Sequence, residues 1–280
     1  MRVYTSIKSL QTALNKLSKE VSIGFVPTMG ALHQGHLSLV EKAKEQTDKV
    51  VVSIFVNPTQ FDKQEDLEQY PVTVQEDLEL LKKVNCDFVF IPSVAEIYSD
   101  SVESQNFDFD QLDKVMEGAH RKGHFDGVGT IVKKLFEIVK PDKAFFGEKD
   151  FQQLQIIRKM VSKEQLPIEI IGVPIFREPD GLAMSSRNMR LTREYRNAAP
   201  FIYKTLRTAK QLFGTKNAVE VSEWVVNEFQ KHPLLKLEYF TIADETTLKP
   251  IQNRELTQKY RAFIAVFADT IRLIDNIALY

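Results

Sequence analysis

Residues 49–56 read Lys-Val-Val-Val-Ser-Ile-Phe-Val, a β-branched run without polar alternation. A strand with one wet face alternates polar and apolar residues. A strand that does not is buried on both faces, as the central strands of parallel sheets are. Parallel neighbours need crossover connections, normally helices, so this run commits the chain to helices on both sides of a sheet. The run ends at Asn57-Pro58-Thr59-Gln60-Phe61, where polar groups sit beside an aromatic.

The flanking segments repeat the theme. Ile7, Leu10, Leu14 and Leu17 share a helical face over residues 6–17, and an apolar strand follows at 22–26. A helix is expected at 72–84 with Val74, Leu78 and Leu81 inward, then a strand at 87–91 ended by Pro92. A glycine-spaced segment at 117–129 opens a helix that runs to about Val139. Ala144-Phe145-Phe146 then leads into Gly147-Glu148-Lys149-Asp150. A helix with Leu154, Ile157 and Val161 on one face and a strand at 168–176 complete five strand–helix alternations. The fold class is therefore α/β, with a doubly wound parallel sheet. After Asn188 the order changes. Helices over 192–213 and 219–231 precede apolar runs at 237–243, 262–268 and 270–274. That order predicts a smaller α+β C-terminal domain, with a boundary near 176–190. Trp224 lies on an apolar helix face and reads as core.

Charge excludes some functions. Net charge is -1 over 280 residues, with Lys and Arg scattered, so neither a nucleic-acid surface nor a membrane patch is expected. No apolar segment approaches membrane-spanning length, and the N-terminus lacks a signal-peptide core, so a soluble cytoplasmic protein is expected. Cys86 is the sole cysteine; no internal disulfide can form, and its place at the head of an apolar strand suits a structural thiol.

Chemistry gathers first at residues 23–44. An apolar run ends at Pro27, Thr28-Met29-Gly30 turns, His33-Gln34-Gly35-His36 follows, and Leu37, Val40 and Ala43 recur at helical spacing. Strand ends and helix N-termini converge at such a junction, and nucleotides bind there. The two histidines could be metal ligands, phosphate binders or structural groups. No third ligand stands at a recognised metal spacing, and Gly35 lets a bound group approach the backbone, which favours the nucleotide reading. Lys149 could be a surface charge, but its place at a strand end favours a phosphate contact. Asp150 could equally cap the next helix. Ser185, Ser186 and Arg187 offer hydroxyl and guanidinium donors from a loop that alone would be unremarkable. The chain has neither a G-x-x-x-x-G-K-[ST] loop nor a strand-linked G-x-G-x-x-G.

Five motifs occur together and in order: Pro27-Thr28-Met29-Gly30 with His33-x-Gly35-His36; Phe55-Val56-Asn57-Pro58-x-Gln60-Phe61; Gly123-His124-Phe125-x-Gly127-Val128; Gly147-Glu148-Lys149-Asp150-Phe151-Gln152-Gln153; and Met184-Ser185-Ser186-Arg187-Asn188. This set resembles the pantoate–β-alanine ligase (pantothenate synthetase) family over essentially the full length. The resemblance implies a Rossmann-like, nucleotidyltransferase-type domain over residues 1–176 and a smaller α+β lid domain over 177–280. It also implies a two-step reaction. Pantoate attacks the α-phosphate of Mg2+-bound ATP to give pantoyl adenylate and pyrophosphate; β-alanine then displaces AMP to give pantothenate.

By the same resemblance His36, His33 and Lys149 are catalytic, acting on the phosphates. Met29, Gly30, Gly147, Glu148, Lys149, Asp150, Phe176, Met184, Ser185, Ser186 and Arg187 bind ATP with the two histidines. Pro27, Thr28, Met29, Phe55, Asn57, Gln60, Tyr70 and Gln153 bind pantoate or β-alanine. Glu117 and Arg121 match a helix that approaches the site, where a purely structural ion pair is the alternative. Mg2+ enters on the ATP phosphates, with no protein ligand assigned; no organic prosthetic group and no nucleic-acid or membrane partner are implied, and a homodimer is. The chain departs from the family pattern at Val72, Lys122 and Phe176, none of them a motif histidine, lysine or serine. Three alternatives remain: a nucleotidyltransferase or adenylate-forming ligase for another small carboxylate, a non-catalytic ATP-binding relative, and an RNA-binding synthetase relative. The near-neutral charge disfavours the last.

Overall fold

Strand β3 (Lys49–Ile54) is buried almost end to end, as its composition requires, and it lies near the middle of a six-stranded parallel sheet ordered β1-β4-β3-β2-β5-β6. The computed structural model describes residues 1–61, 67–99, 101–255 and 257–280. The chain divides into two compact units, Met1–Glu148 with Gln153–Pro174, and Lys149–Gln152 with Ile175–Tyr280.

The first unit holds the parallel sheet: β1 (Arg2–Tyr4), β2 (Ile23–Thr28), β3, β4 (Phe88–Phe90), β5 (Lys143–Gly147) and β6 (Glu169–Val173). The register runs Gly24 to Val50 and Val26 to Val52 between β2 and β3. Side chains alternate across the sheet, so Val26, Val50, Val52 and Phe145 meet Leu37, Val40 and Ala43 of α2 (Gln34–Gln46) and Leu81 of α3 (Val74–Lys83). On the opposite face Phe25 meets Phe136 of α4 (His124–Val139) edge to face. Helix α1 (Ile7–Leu14) opens on the Ser6 cap and buries Leu10 and Leu14. Cys86 is buried, its thiol donating to the Phe88 carbonyl.

The second unit contains an antiparallel sheet of β7 (Leu235–Asp244), β8 (Tyr260–Ala268) and β9 (Ile271–Ala278). Tyr260, Ala262, Ile264 and Val266 of β8 join a core with Ile202, Leu206 and Ala209 of α7 (Phe201–Leu212) and Val221 and Val225 of α8 (Ala218–Gln230). Trp224 packs against this core.

The observed elements differ from the sequence reading at instructive points. The helix expected over 192–213 is two, α6 (Arg193–Ala198) and α7, because Pro200 supplies no N–H at the join. The last strand runs on to Ala278 rather than ending near 274. Its later part carries Asp275 and Asn276, polar but 4% and 1% exposed, each satisfied by an arginine. Strand β1 is absent from the sequence reading; it is three residues at a sheet edge, too short for alternation to register.

Candidate active site

In the first unit, the residues of interest gather where β2 ends. Thr28 Oγ1 donates to the Ser53 carbonyl and accepts from Gly30 N–H, fixing the turn onto β3. Gly30 adopts φ +83° and Ala31 φ +49°. A Cβ at Gly30 would stand 3.0 Å from Asp77 Oδ2, so the turn needs glycine for both conformation and space. Asp77 is 1% exposed. Its Oδ2 accepts from Ala31 N–H at 3.1 Å and its Oδ1 from Leu32 N–H at 2.7 Å, with the Thr73 hydroxyl at 3.2 Å. A buried carboxylate on α3 thus holds the whole turn between Met29 and His33. The sequence carries one signal of it: a carboxylate on the inward face defined by Val74, Leu78 and Leu81.

His33 is the N-cap of α2 and His36 its third helical residue, joined in a reciprocal capping box. His33 Nδ1 accepts from Gly35 N–H at 3.1 Å, and His36 Nδ1 accepts from His33 N–H at 3.3 Å. A nitrogen that accepts carries no proton, so each neutral ring holds its proton on Nε2. The rings lie 4.1 Å apart, inclined by 30°. The two imidazoles therefore share one orientation, with Nδ1 serving the helix start and the proton of each neutral ring on Nε2.

At the end of β3, Phe55 is buried and a 3-10 turn, Pro58–Gln60, follows. Gln60 Nε2 donates to Met29 Sδ at 2.8 Å, bringing together two residues that the resemblance places at pantoate. Asn57 is 1% exposed. Its amide donates to Thr59 Oγ1 and the Gly127 carbonyl and accepts from Tyr98 O–H at 2.6 Å, so it underpins the Gln60 turn. Gly127 is needed here because a Cβ would fall 2.3 Å from the Thr59 carbonyl oxygen. From below, His124 Nδ1 donates to the Gln60 carbonyl at 2.8 Å while its Nε2 accepts from Arg121 at 3.0 Å. Tyr98 and His124 are supports that sequence reasoning does not assign. Tyr70 packs edge to face on Phe61. Gln153 is half-buried in α5 (Phe151–Lys163), and Gly147 closes β5 with open space where a Cβ would stand. Glu148 follows directly, in a 3-10 turn with Lys149 and Asp150.

In the second unit, Lys149 and Asp150 lie in the segment Lys149–Gln152. The loop carrying the serines is closed by a bridge between Arg177 and Ala183, and the Phe176 carbonyl accepts from Met184 N–H at 3.0 Å. Arg177 forms a bidentate pair with buried Asp275 at 2.7 and 2.9 Å and lies 3.7 Å over the Tyr203 ring. Burial pushes the Asp275 carboxyl up, and the Arg177 pair opposes it. Arg196 clamps Glu178 and Asp180 from the other side, both at 2.6 Å. On this frame Ser185 caps the turn Ser186–Arg190, its Oγ accepting from Arg187 N–H at 3.2 Å. Ser186, Arg187 and Met184 are half-buried beside it, and the Phe176 side chain is exposed. Val72 and Lys122 are exposed as well.

The family model described as pantoate-beta-alanine ligase matches residues 2–278. A pantothenate synthetase of Christiangramia forsetii is 57% identical over 281 residues, covering all of this chain and 99% of the relative. The crystal structure of pantothenate synthetase from Thermus thermophilus superposes with a TM-score of 0.92 at 39% identity, covering both chains in full. That of pantoate-beta-alanine ligase from Francisella tularensis, complexed with beta-gamma ATP and beta-alanine, superposes with a TM-score of 0.83 at 37% identity. It covers all of this chain and 98% of that one.

Proposed function

This chain belongs to the pantoate-beta-alanine ligase family, and we propose from that premise that it joins pantoate to β-alanine through a pantoyl-adenylate intermediate. In the first step a pantoate carboxylate oxygen forms a bond to the α-phosphorus of ATP, and the bond to the bridging oxygen breaks to release pyrophosphate. In the second the β-alanine amine adds to the acyl carbon, loses a proton and expels AMP. Mg2+ held on the ATP phosphates would supply charge neutralisation for the departing pyrophosphate.

The observation that carries this reading is the shared orientation of His33 and His36. Their Nδ1 atoms serve the start of α2, which makes Nε2–H the donor on both rings. Two such donors at a helix N-terminus suit a phosphate gaining negative charge, since they are set before the charge develops. In this reading His36 donates to the reacting phosphate, His33 and Lys149 hold the flanking phosphates, and Ser185, Ser186 and Arg187 close over the triphosphate. Gly30, Gly147, Glu148, Asp150, Phe176 and Met184 line the nucleotide. Gln60 and Gln153 take the polar groups of pantoate, with Pro27, Thr28, Met29 and Phe55 around its carbon skeleton and Asn57 and Tyr70 toward the β-alanine end. The second step then needs mainly orientation and exclusion of water, because a mixed anhydride is already activated. The same reading makes the enzyme a cytoplasmic homodimer. Among the described residues no helix is long and apolar enough to cross a membrane.

The test is AMP formation with ATP, pantoate and β-alanine, leaving out each in turn. AMP turnover should require all three, because β-alanine expels the AMP that ATP and pantoate have combined into the adenylate. Equal AMP without pantoate, or with another small acid in its place, overturns the assignment.

A further inference from the structure

The turn that bears Lys149 is tied to the C-terminal strand. In the second unit the side chain of Asn276, in β9, donates through Nδ2 to the Lys149 carbonyl at 2.9 Å. Its Oδ1 accepts from Arg261 Nη1, in β8, at 2.6 Å. Arg261 is 4% exposed; its Nε donates to Glu245 at 2.7 Å, and its guanidinium lies 3.9 Å over the ring of Phe151, two residues past Lys149. Phe263 meets the same ring at 6.0 Å.

Register explains the arrangement. Asn276 pairs directly with Phe263, and Arg261 is two residues from Phe263, so all three side chains share one face of the sheet. The opposite face of β8, through Tyr260, Ala262, Ile264 and Val266, forms the apolar core with α7 and α8. One side of this sheet is thus packed for stability. The other carries a buried arginine, its carboxylate and an amide; the amide meets the Lys149 carbonyl and the arginine the Phe151 ring. A buried ion pair of this kind adds little stability over apolar residues of the same volume, whereas it does impose direction.

We propose that Asn276 and Arg261 are positioning residues for adenylation: they fix the Lys149 peptide and the Phe151 ring, and so aim the Lys149 ammonium. This rests on the reading of Lys149 as a phosphate-binding group. Neither residue needs to touch substrate. Asn276 fixes the backbone of the lysine through its carbonyl, and Arg261 orients Asn276 while clamping the ring next along the chain.

The test is a double-mutant cycle read by pantoate-dependent exchange of labelled pyrophosphate into ATP. Asn276→Asp keeps the shape and the Arg261 contact but sets an oxygen against the Lys149 carbonyl. It should lower kcat for exchange roughly 10- to 100-fold, the scale of a misplacement near 1 Å, and move KM for ATP less than about threefold. In a Lys149→Ala background the same substitution should change the residual rate less than about twofold, because the group it aims is gone. A purely structural role would lower the melting temperature and multiply through both backgrounds alike. If Asn276→Asp does not fold, Asn276→Ser, which shortens the donor without adding charge, carries the same comparison. The proposal is overturned if the folded variant exchanges within about twofold of wild type, or loses the same factor with and without Lys149. Near wild-type exchange by Lys149→Ala alone refutes the phosphate role of Lys149, and the proposal falls with it.

Discussion

Asp77→Asn isolates the buried support of the β2–α2 turn. The native carboxylate accepts Leu32 N–H at 2.7 Å and Ala31 N–H at 3.1 Å from a site 1% exposed. An asparagine keeps the size and one acceptor but turns an amide NH2 toward the second backbone donor. One buried N–H is then orphaned against another donor, and the remaining bond loses its ionic assistance. An unsatisfied buried donor costs about 1–3 kcal/mol and the lost assistance about 1 kcal/mol more, so unfolding free energy should fall by about 2–4 kcal/mol. Thr73→Ala removes only a hydroxyl from the same carboxylate and should cost about 1 kcal/mol. Urea unfolding measures both. Because the turn connects Met29 to His33, Asp77→Asn should also slow pyrophosphate exchange in whatever fraction stays folded. A loss under about 0.5 kcal/mol with normal exchange would refute the view that this carboxylate builds the turn.

Three further outcomes follow from individual groups. His36→Asn retains an oxygen at the Nδ1 position to accept His33 N–H but lacks Nε2–H. It should fold with a near-native melting temperature while exchange falls by roughly 100-fold or more; near-normal turnover would remove His36 from the chemistry. Burial pushes the Cys86 thiol up to about 12, so a maleimide or disulfide reagent at neutral pH should label it only as fast as the protein unfolds. Immediate labelling of native protein contradicts the buried placement. Burial also holds the His232 imidazole below its ordinary value of 6.5, and its Nδ1 accepts from Leu234 and Leu235 N–H. The unfolded chain therefore takes up a proton first as pH falls through 6.5, and stability should decline from there until the folded imidazole also protonates. His232→Asn should flatten that part of the urea-midpoint profile; an unchanged slope would show that His232 does not set it.

Much of the fold can be read from periodicity, because burial on both faces leaves a mark that needs no partner to interpret. The 49–56 run announces β3, and the return of Leu37, Val40 and Ala43 announces α2. Polar residues that satisfy one another inside the protein are harder to see. Asp275 and Asn276 look like the end of a strand until Arg177 and Arg261 are seen beside them, from 98 and 15 residues away in sequence. The candidate site divides in the same way. His33, His36, Lys149 and the serine loop stand at strand ends and helix starts, where local sequence names the position. The supports beneath these positions, Asp77 at the turn before His33, Tyr98 and His124 at the Gln60 turn and Asn276 at the Lys149 carbonyl, act through contacts that no local pattern encodes. Their chemistry is visible in the sequence; their targets are not.

The central claim is that this site activates a carboxylate by transferring adenylate to it. Exchange of labelled pyrophosphate into ATP reads that step alone, because only reversal of adenylate formation returns the label. The account predicts exchange that requires pantoate, needs no β-alanine, and falls to a small residual rate in His36→Asn and Lys149→Ala. Exchange that appears only when β-alanine is added, or that proceeds equally without pantoate, would contradict it.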